Sequence, residues 1–176
     1  EVVFFKGDLK QFVIERLADR CIEELTIIDN SIEWRVKKDI IVESIKNRSK
    51  KYDEELELDK SDFQLLLNGV LQKYKYNFRN GNWKTEPEWD RVCVTTLFTF
   101  YWDITVQTIE MAKFFVKNPK KNMMVGGVLA SIQPKELEAA TGIKPFVGVL
   151  NIPGQLDKGD TQIIDELPLD YSILDE

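Results

Sequence analysis

Arg91-Val92-Cys93-Val94-Thr95-Thr96-Leu97-Phe98-Thr99-Phe100 is almost unbroken in apolar and β-branched side chains. That pattern fits a parallel strand covered on both faces, because a strand facing water on one side would alternate. Asp103 then offers a cap for a helix whose apolar positions are Ile104, Ile109, Met111, Ala112 and Phe115, and Asn118-Pro119 after Lys117 stops it. Met123-Met124-Val125 reads as the next strand, Gly126-Gly127 as a turn, and Pro134-Lys135-Glu136-Leu137 as the start of a second helix, with proline tolerated in the first turn. Gly142 ends that helix, and Phe146-Val147-Gly148-Val149-Leu150 is apolar and short enough to be a further strand. Strands that alternate with helices predict an α/β domain: a parallel sheet with right-handed crossovers and helices on its faces.

Toward the N-terminus, Val2-Val3-Phe4-Phe5 has the β-branched and aromatic character of a strand, followed by a turn glycine and an N-cap in Lys6-Gly7-Asp8. From Leu9 on, Phe12, Val13, Leu17, Cys21, Ile22 and Leu25 recur at helical spacing and make one face suited to lie on a sheet. Asp29-Asn30-Ser31 breaks this pattern. A less regular helix through Trp34, Ile40, Ile41 and Ile45 follows, ending between Asn47 and Lys51. Ser61-Asp62 then caps a clearer one through Phe63, Leu66, Leu67, Val70, Leu71, Tyr74 and Phe78, closed by Arg79-Asn80-Gly81-Asn82. No strand separates these two stretches, so residues 30–80 read as an α-helical insertion after the first β-α unit. The pattern fails after Leu150: residues 151–176 carry Pro153-Gly154, Pro168 and many acids, and are expected to be an extended connector.

Apolar residues make up 43% of the 176 positions and charged residues 31%, enough apolar surface to fold around a core. The net charge of −6 and a pI near 4.9 argue against a dominant nucleic-acid footprint. The basic piece Lys117-Asn118-Pro119-Lys120-Lys121 reads as a solvated helix end. With no apolar run of roughly 18 residues and no signal-peptide pattern, a cytoplasmic protein is expected. Cys21 and Cys93 are far apart and lack the spacing of a metal site, so both read as reduced core residues. The chain contains no histidine, which removes the commonest general base, the commonest zinc ligand and every Ser-His or Cys-His pair.

In open parallel sheets, ligands bind outside the carboxyl ends of the strands. Lys6-Gly7-Asp8, Thr95 to Trp102 and Gly126-Gly127 to Ser131 are expected to converge there. The paired glycines would let a ligand approach the backbone, or would serve a tight connection that needs positive φ. Phe98, Phe100, Tyr101 and Trp102 would line a planar-ligand pocket or an interface, or would pack as core and helix cap. Asp8 is either an N-cap or a contact for a ligand hydroxyl. Neither the G-x-G-x-x-G nor the G-x-x-x-x-G-K-[ST] pattern occurs, and the acids Asp157, Asp160, Asp165, Glu166, Asp170, Asp175 and Glu176 lack calcium-loop spacing. Asp8, Glu136 and Glu138 would be the carboxylates of a self-contained enzyme, but no spacing pairs them as acid and base.

Three stretches resemble the N-terminal region of B12-binding-domain-type radical SAM proteins, the Fe-S oxidoreductases. They are Trp89-Asp90-Arg91-Val92 leading into Thr95-Thr96-Leu97-Phe98-Thr99-Phe100, Val125-Gly126-Gly127-Val128 with Ala130-Ser131, and Leu167-Pro168-Leu169-Asp170-Tyr171. The resemblance implies that residues 1–150 form a Rossmann-like, cobalamin-binding-domain-like module. It also implies that 151–176 lead toward a partial TIM-type barrel carrying a C-x-x-x-C-x-x-C motif. Its [4Fe-4S] cluster and S-adenosylmethionine would then belong to that barrel, because Cys21 and Cys93 cannot make the motif. Cobalamin, held without a histidine ligand since D-x-H-x-x-G is absent, would sit at Thr95, Thr96, Gly126, Gly127 and Ala130. The implied partners are the chain's own C-terminal radical SAM domain and a small-molecule or macromolecular substrate. The module would bind cofactor or substrate and shape the barrel's active site, or would act as a scaffold or interdomain lid that binds no cofactor.

Overall fold

The computed structural model describes residues 2–58 and 61–168. These form a mixed α/β protein, mostly helical, with one small two-stranded parallel sheet. They divide into two compact units, Gly7–Pro87 and residues 2–6 together with 88–168.

Gly7–Pro87 is helical. Asp8 caps α1 (Leu9–Ile28), its carboxylate accepting the Lys10 N–H at 2.9 Å. The helix buries the face expected from its spacing, Val13, Ile14, Leu17, Ala18, Cys21, Ile22 and Leu25, against α2 (Lys38–Lys46) and α4 (Gln64–Asn80). That is a correction to the expectation that this face covers a sheet: helical periodicity specifies a buried stripe without specifying what buries it. After α1, Asp29 organises the connection. It accepts from the Ser31 backbone N–H at 3.1 Å and hydroxyl at 2.5 Å and from the Ser61 hydroxyl at 2.7 Å, while its carbonyl accepts the indole N–H of fully buried Trp34 at 2.8 Å. The short α3 (Lys51–Glu55) follows α2. The α4 helix begins at Gln64 and buries Leu67, Leu71 and Tyr74, whereas Phe63 and Leu66, expected on its apolar face, are exposed. Gly81 ends it at φ 70°, a left-handed C-cap.

In the second unit, β1 (Val92–Thr96) leads through a 3₁₀ turn at Thr99–Tyr101 into α5 (Trp102–Ala112). The single-turn α6 (Pro119–Asn122), entered at Asn118 with φ 53°, precedes β2 (Met123–Gly127). Val128–Ile132 forms α7 and Pro134–Thr141 forms α8, the latter capped by Gly142 at φ 65°. The strands run parallel, in register Val92↔Met123 through Thr96↔Gly127, and Trp89 and Val116 extend the pairing as an isolated bridge. Core side chains are Ile109, Ala112, Val116, Met123, Val125, Leu129, Ala130, Leu137 and Ile143.

Three expectations are overturned in this unit. Val2-Val3-Phe4-Phe5 is not a strand: it joins no ladder, and Val2 and Phe4 are exposed, because β propensity reports a fit to a half-buried pleated surface and makes no strand where no neighbouring strand supplies one. Phe146–Leu150 is not a strand either. Phe146 donates one backbone bond to Val125 O at 2.7 Å, after which Gly148 at φ 90° turns the chain out of extended geometry and Val147 and Val149 face solvent. Finally, β1 is not covered on both faces, for Cys93 and Thr95 are exposed while Thr96 is buried, so Cys93 is not a core residue. Among the described residues no helix is long and apolar enough to cross a membrane.

Candidate functional site

The carboxyl ends of β1 and β2 bring Thr95, Thr96, Gly126, Gly127 and Ala130 together. Parallel pairing sets Thr95 opposite Gly126 and Thr96 opposite Gly127. Thr96, almost fully buried, joins three elements through one hydroxyl: Oγ1 donates to Gly126 O at 2.8 Å and accepts the Ala130 N–H at 3.0 Å. A buried hydroxyl with both roles filled avoids the cost of an unpaired polar group and ties β1 to β2 and α7. Gly127 lies at φ 100°, ψ −167°, a region open essentially to glycine. A Cβ there would meet Thr96 O at 2.2 Å and Thr96 N at 2.8 Å. The space beside Gly127 is therefore filled by the backbone of β1.

Ser131 continues the same pattern, its hydroxyl donating to Gly127 O at 2.8 Å and accepting the Gly148 N–H at 3.1 Å. Gly126 has ordinary room, with Phe146 Cβ at 4.0 Å from an added Cβ. Of the five positions, Thr96 and Ala130 are thus committed to bonds within the turn, and Gly127 answers a packing demand. Thr95 lines a shallow hollow of about 300 Å³ shared with Val94, Tyr101, Ile104, Thr105 and Thr108. Among the described residues no charged side chain lines that hollow.

Beside it stands an aromatic ridge. Phe98 and Phe100 stack at 5.0 Å with an interplanar angle of 11°, Tyr101 tilts against Phe100 at 4.5 Å, and Phe98 meets Tyr101 edge-on at 6.2 Å. All three remain exposed, as do Leu97 and Ile104, so the ridge is not core packing. The 3₁₀ turn at Thr99–Tyr101 projects these rings together before α5 starts, and Asp103 lies within the first turn of α5 without capping it.

Asp8 is occupied as the cap of α1, and Gly7 and Asp8 belong to the other unit, while Lys6 falls in the unit of the two strands. Glu136 and Glu138 are exposed on α8. Asp170, Asp175, Glu176 and Leu169-Asp170-Tyr171 lie outside the described residues. Among the described residues no group of three or more Cys, Asp or Glu stands ready to hold a metal ion.

Two ionic groupings escaped the sequence reading. Lys75 projects a nearly buried ammonium to both carboxylate oxygens of Asp53, at 2.6 and 2.7 Å, and the Ser44 hydroxyl donates to Asp53 at 2.5 Å, which ties α4, α3 and α2 together. Its sequence signal is position, since Lys75 falls four residues after buried Leu71 on the inward face of α4. Arg91, at the head of β1, forks onto Asp157. The hydrogen bonds from Arg91 hold the Asp157 carboxyl below the usual carboxylate range, and the same bonds raise the guanidinium. No protein-family model matches the chain, and neither the curated proteins nor the solved structures include one that does.

Proposed function

We propose that this chain is the N-terminal, cobalamin-domain-like module of a cytoplasmic radical SAM protein, with a Rossmann-like relationship between β1, β2 and their helices. In this reading it works mainly as a scaffold or lid that shapes a catalytic barrel's active site. The family part rests on the resemblance carried by residues 89–100, 125–131 and 167–171. The observation that carries the role is the exposed ridge of Leu97, Phe98, Phe100, Tyr101 and Ile104 at the strands' carboxyl ends. Contiguous exposed aromatics of this kind suit contact with another apolar surface. They adjoin a turn whose glycine and buried threonine are already engaged with each other.

The residues do not fit a corrin cradle well. Thr96 and Ala130 have their groups paired internally, and the gap at Gly127 is closed by Thr96. No chemical step is assigned to cobalamin here, and the radical chemistry, its cluster and S-adenosylmethionine belong in this reading to the barrel. The module supplies positioning.

The test is to mix the 176-residue chain with hydroxocobalamin at tens of micromolar, pass it over gel filtration and record the corrin spectrum. The scaffold reading expects the corrin to elute apart from the protein with its free spectrum. Co-elution with a red-shifted spectrum would overturn it in favour of a cobalamin-binding module that uses Thr95 and the neighbouring hollow. The parent reading frame tests the family: no cysteine triad in C-x-x-x-C-x-x-C spacing would remove the radical SAM assignment.

A further inference from the structure

Residues 151–168, in the stretch expected as a connector, carry turns and bends with defined hydrogen bonds. Ile152 donates its N–H to the Gln155 side chain at 2.9 Å, and Gly154 adopts φ 76°. Asp157-Lys158-Gly159-Asp160 is a β-turn closed by the Asp160 N–H on Asp157 O at 3.0 Å, with Gly159 at φ 98° in the third position, where a type II turn needs glycine. Asp160 in turn accepts the Gln162 N–H at 3.0 Å, and Asp165 donates its backbone N–H to Leu150 O at 3.0 Å. The Asp157 carboxylate is thus held at a turn corner. Arg91 meets it with two parallel N–H donors, one at 2.8 Å, in the fork geometry that gives arginine–carboxylate pairs their directionality.

From this geometry we infer that residues 151–164 form a detachable strap, anchored at Leu150–Asp165 by backbone and latched to the head of β1 by the Arg91–Asp157 pair. The strap would be released by solutes or partners that compete for either charge. Its side chains are 45% and 51% exposed, so water and ions reach the latch, and salt screens it. Exposed ion pairs are weak in general. This one has a preset turn on one side and a strand terminus on the other, so little ordering is needed to close it. The pair is poised to open and close within the folded protein, where a buried bridge would open only with unfolding.

Endoproteinase Lys-C provides the test, because Lys158 sits inside the latched turn. The full chain, Arg91→Gln, Asp157→Asn and the swapped pair Arg91→Asp with Asp157→Arg would be digested under native conditions and cleavage after Lys158 followed by mass spectrometry. Each single variant is expected to cleave there about two to five times faster than the parent, and the swapped pair to return toward the parent rate. Sodium chloride at 0.5 M should accelerate the parent and leave the single variants nearly unchanged.

Cys93 gives a second readout. Cys93 is exposed as a residue, but its thiol is partly screened from water by its neighbours, and this partial desolvation leads in pushing it up, while Arg91 lowers it and Asp157 raises it. Asp157→Asn should therefore lower the thiol's titration midpoint and Arg91→Gln should raise it. Cys21, buried and pushed up to about 12, stays silent to reagents in the native chain. Equal cleavage after Lys158 in all four proteins overturns the latch whatever Cys93 does, and so does a swapped pair that cleaves as fast as the single variants.

Discussion

Replacing Gly127 by alanine separates the two meanings that a glycine pair can have at a strand end. At φ 100°, ψ −167° the new Cβ would lie 2.2 Å from Thr96 O, where ordinary contact begins near 3.4 Å, and 2.8 Å from Thr96 N. Both obstacles are backbone atoms of β1, so no side-chain rotation relieves them and the strand ends must part. The backbone conformation of Gly127, outside even the left-handed helical region, costs about 1–3 kcal/mol, and loosening the Thr96 links to Gly126 and Ala130 adds about 1 kcal/mol each, for a loss of about 3–5 kcal/mol. Gly142→Ala is the control, since Gly142 also has a positive φ, of 65°, but no atom within 4 Å of an added Cβ. It should cost only the conformational share, about 1–2 kcal/mol.

Native-state hydrogen exchange at the Val94 amide, in the paired strands, follows this unit apart from Gly7–Pro87. A difference of about 2 kcal/mol between the variants should appear as exchange about 30-fold faster in Gly127→Ala. Equal protection in the two variants would refute the packing argument, and would return Gly127 to the role of a glycine kept bare for a ligand.

In Gly7–Pro87, Lys75→Met should destabilise by about 3 kcal/mol because it strands the Asp53 carboxylate in a mostly buried position. Adding Asp53→Leu should recover at least half of that, read as exchange protection at the Leu71 amide. Glu24 supplies a pH dependence: a hydrogen bond from Lys73 leads the effects that hold its carboxyl below the ordinary glutamate value of 4.5, with the Tyr74 hydroxyl assisting. A depressed folded value means that its contribution is present above the unfolded pKa and is lost as pH falls through the folded one. Urea midpoints of this unit should therefore fall below pH 4.5, and Glu24→Gln should flatten that part of the profile while leaving the slope above pH 6 unchanged.

What the sequence revealed was local. A strand inside Arg91–Phe100, another starting at Met123, the positive φ at Gly127 and the left-handed caps at Gly81 and Gly142 follow from the side chains at those positions, whereas β1 stops at Thr96 and Gly126-Gly127, read as a turn, are the last two residues of β2. The helical stripe of α1 was equally legible, but its partner was not, since Val13, Leu17 and Leu25 would look the same packed on a sheet or on α2 and α4. Strand readings failed where pairing decides. Val2–Phe5 has the composition of a strand and no ladder, and Gly148 ends Phe146–Leu150 before a second ladder bond forms. At the site, the spacing of Thr95-Thr96 and Gly126-Gly127 pointed to one edge, whereas the use of Thr96 as a three-way tie depends on a register that no single segment encodes. The Arg91–Asp157 pair spans 66 positions, beyond any periodicity.

The helical unit is one uninterrupted run, Gly7–Pro87, and this sets an order of events during synthesis. Ribosomes add about 5–20 residues per second, and contiguous helical units built on near contacts fold in microseconds to milliseconds. All four of its main helices are made before Val92 is translated. Val92–Thr96 must then wait for Met123–Gly127 before either has a partner. During that interval the nascent chain carries the complete sequence of the helical unit followed by a strand still without its partner, the kind of unpaired edge that invites aggregation.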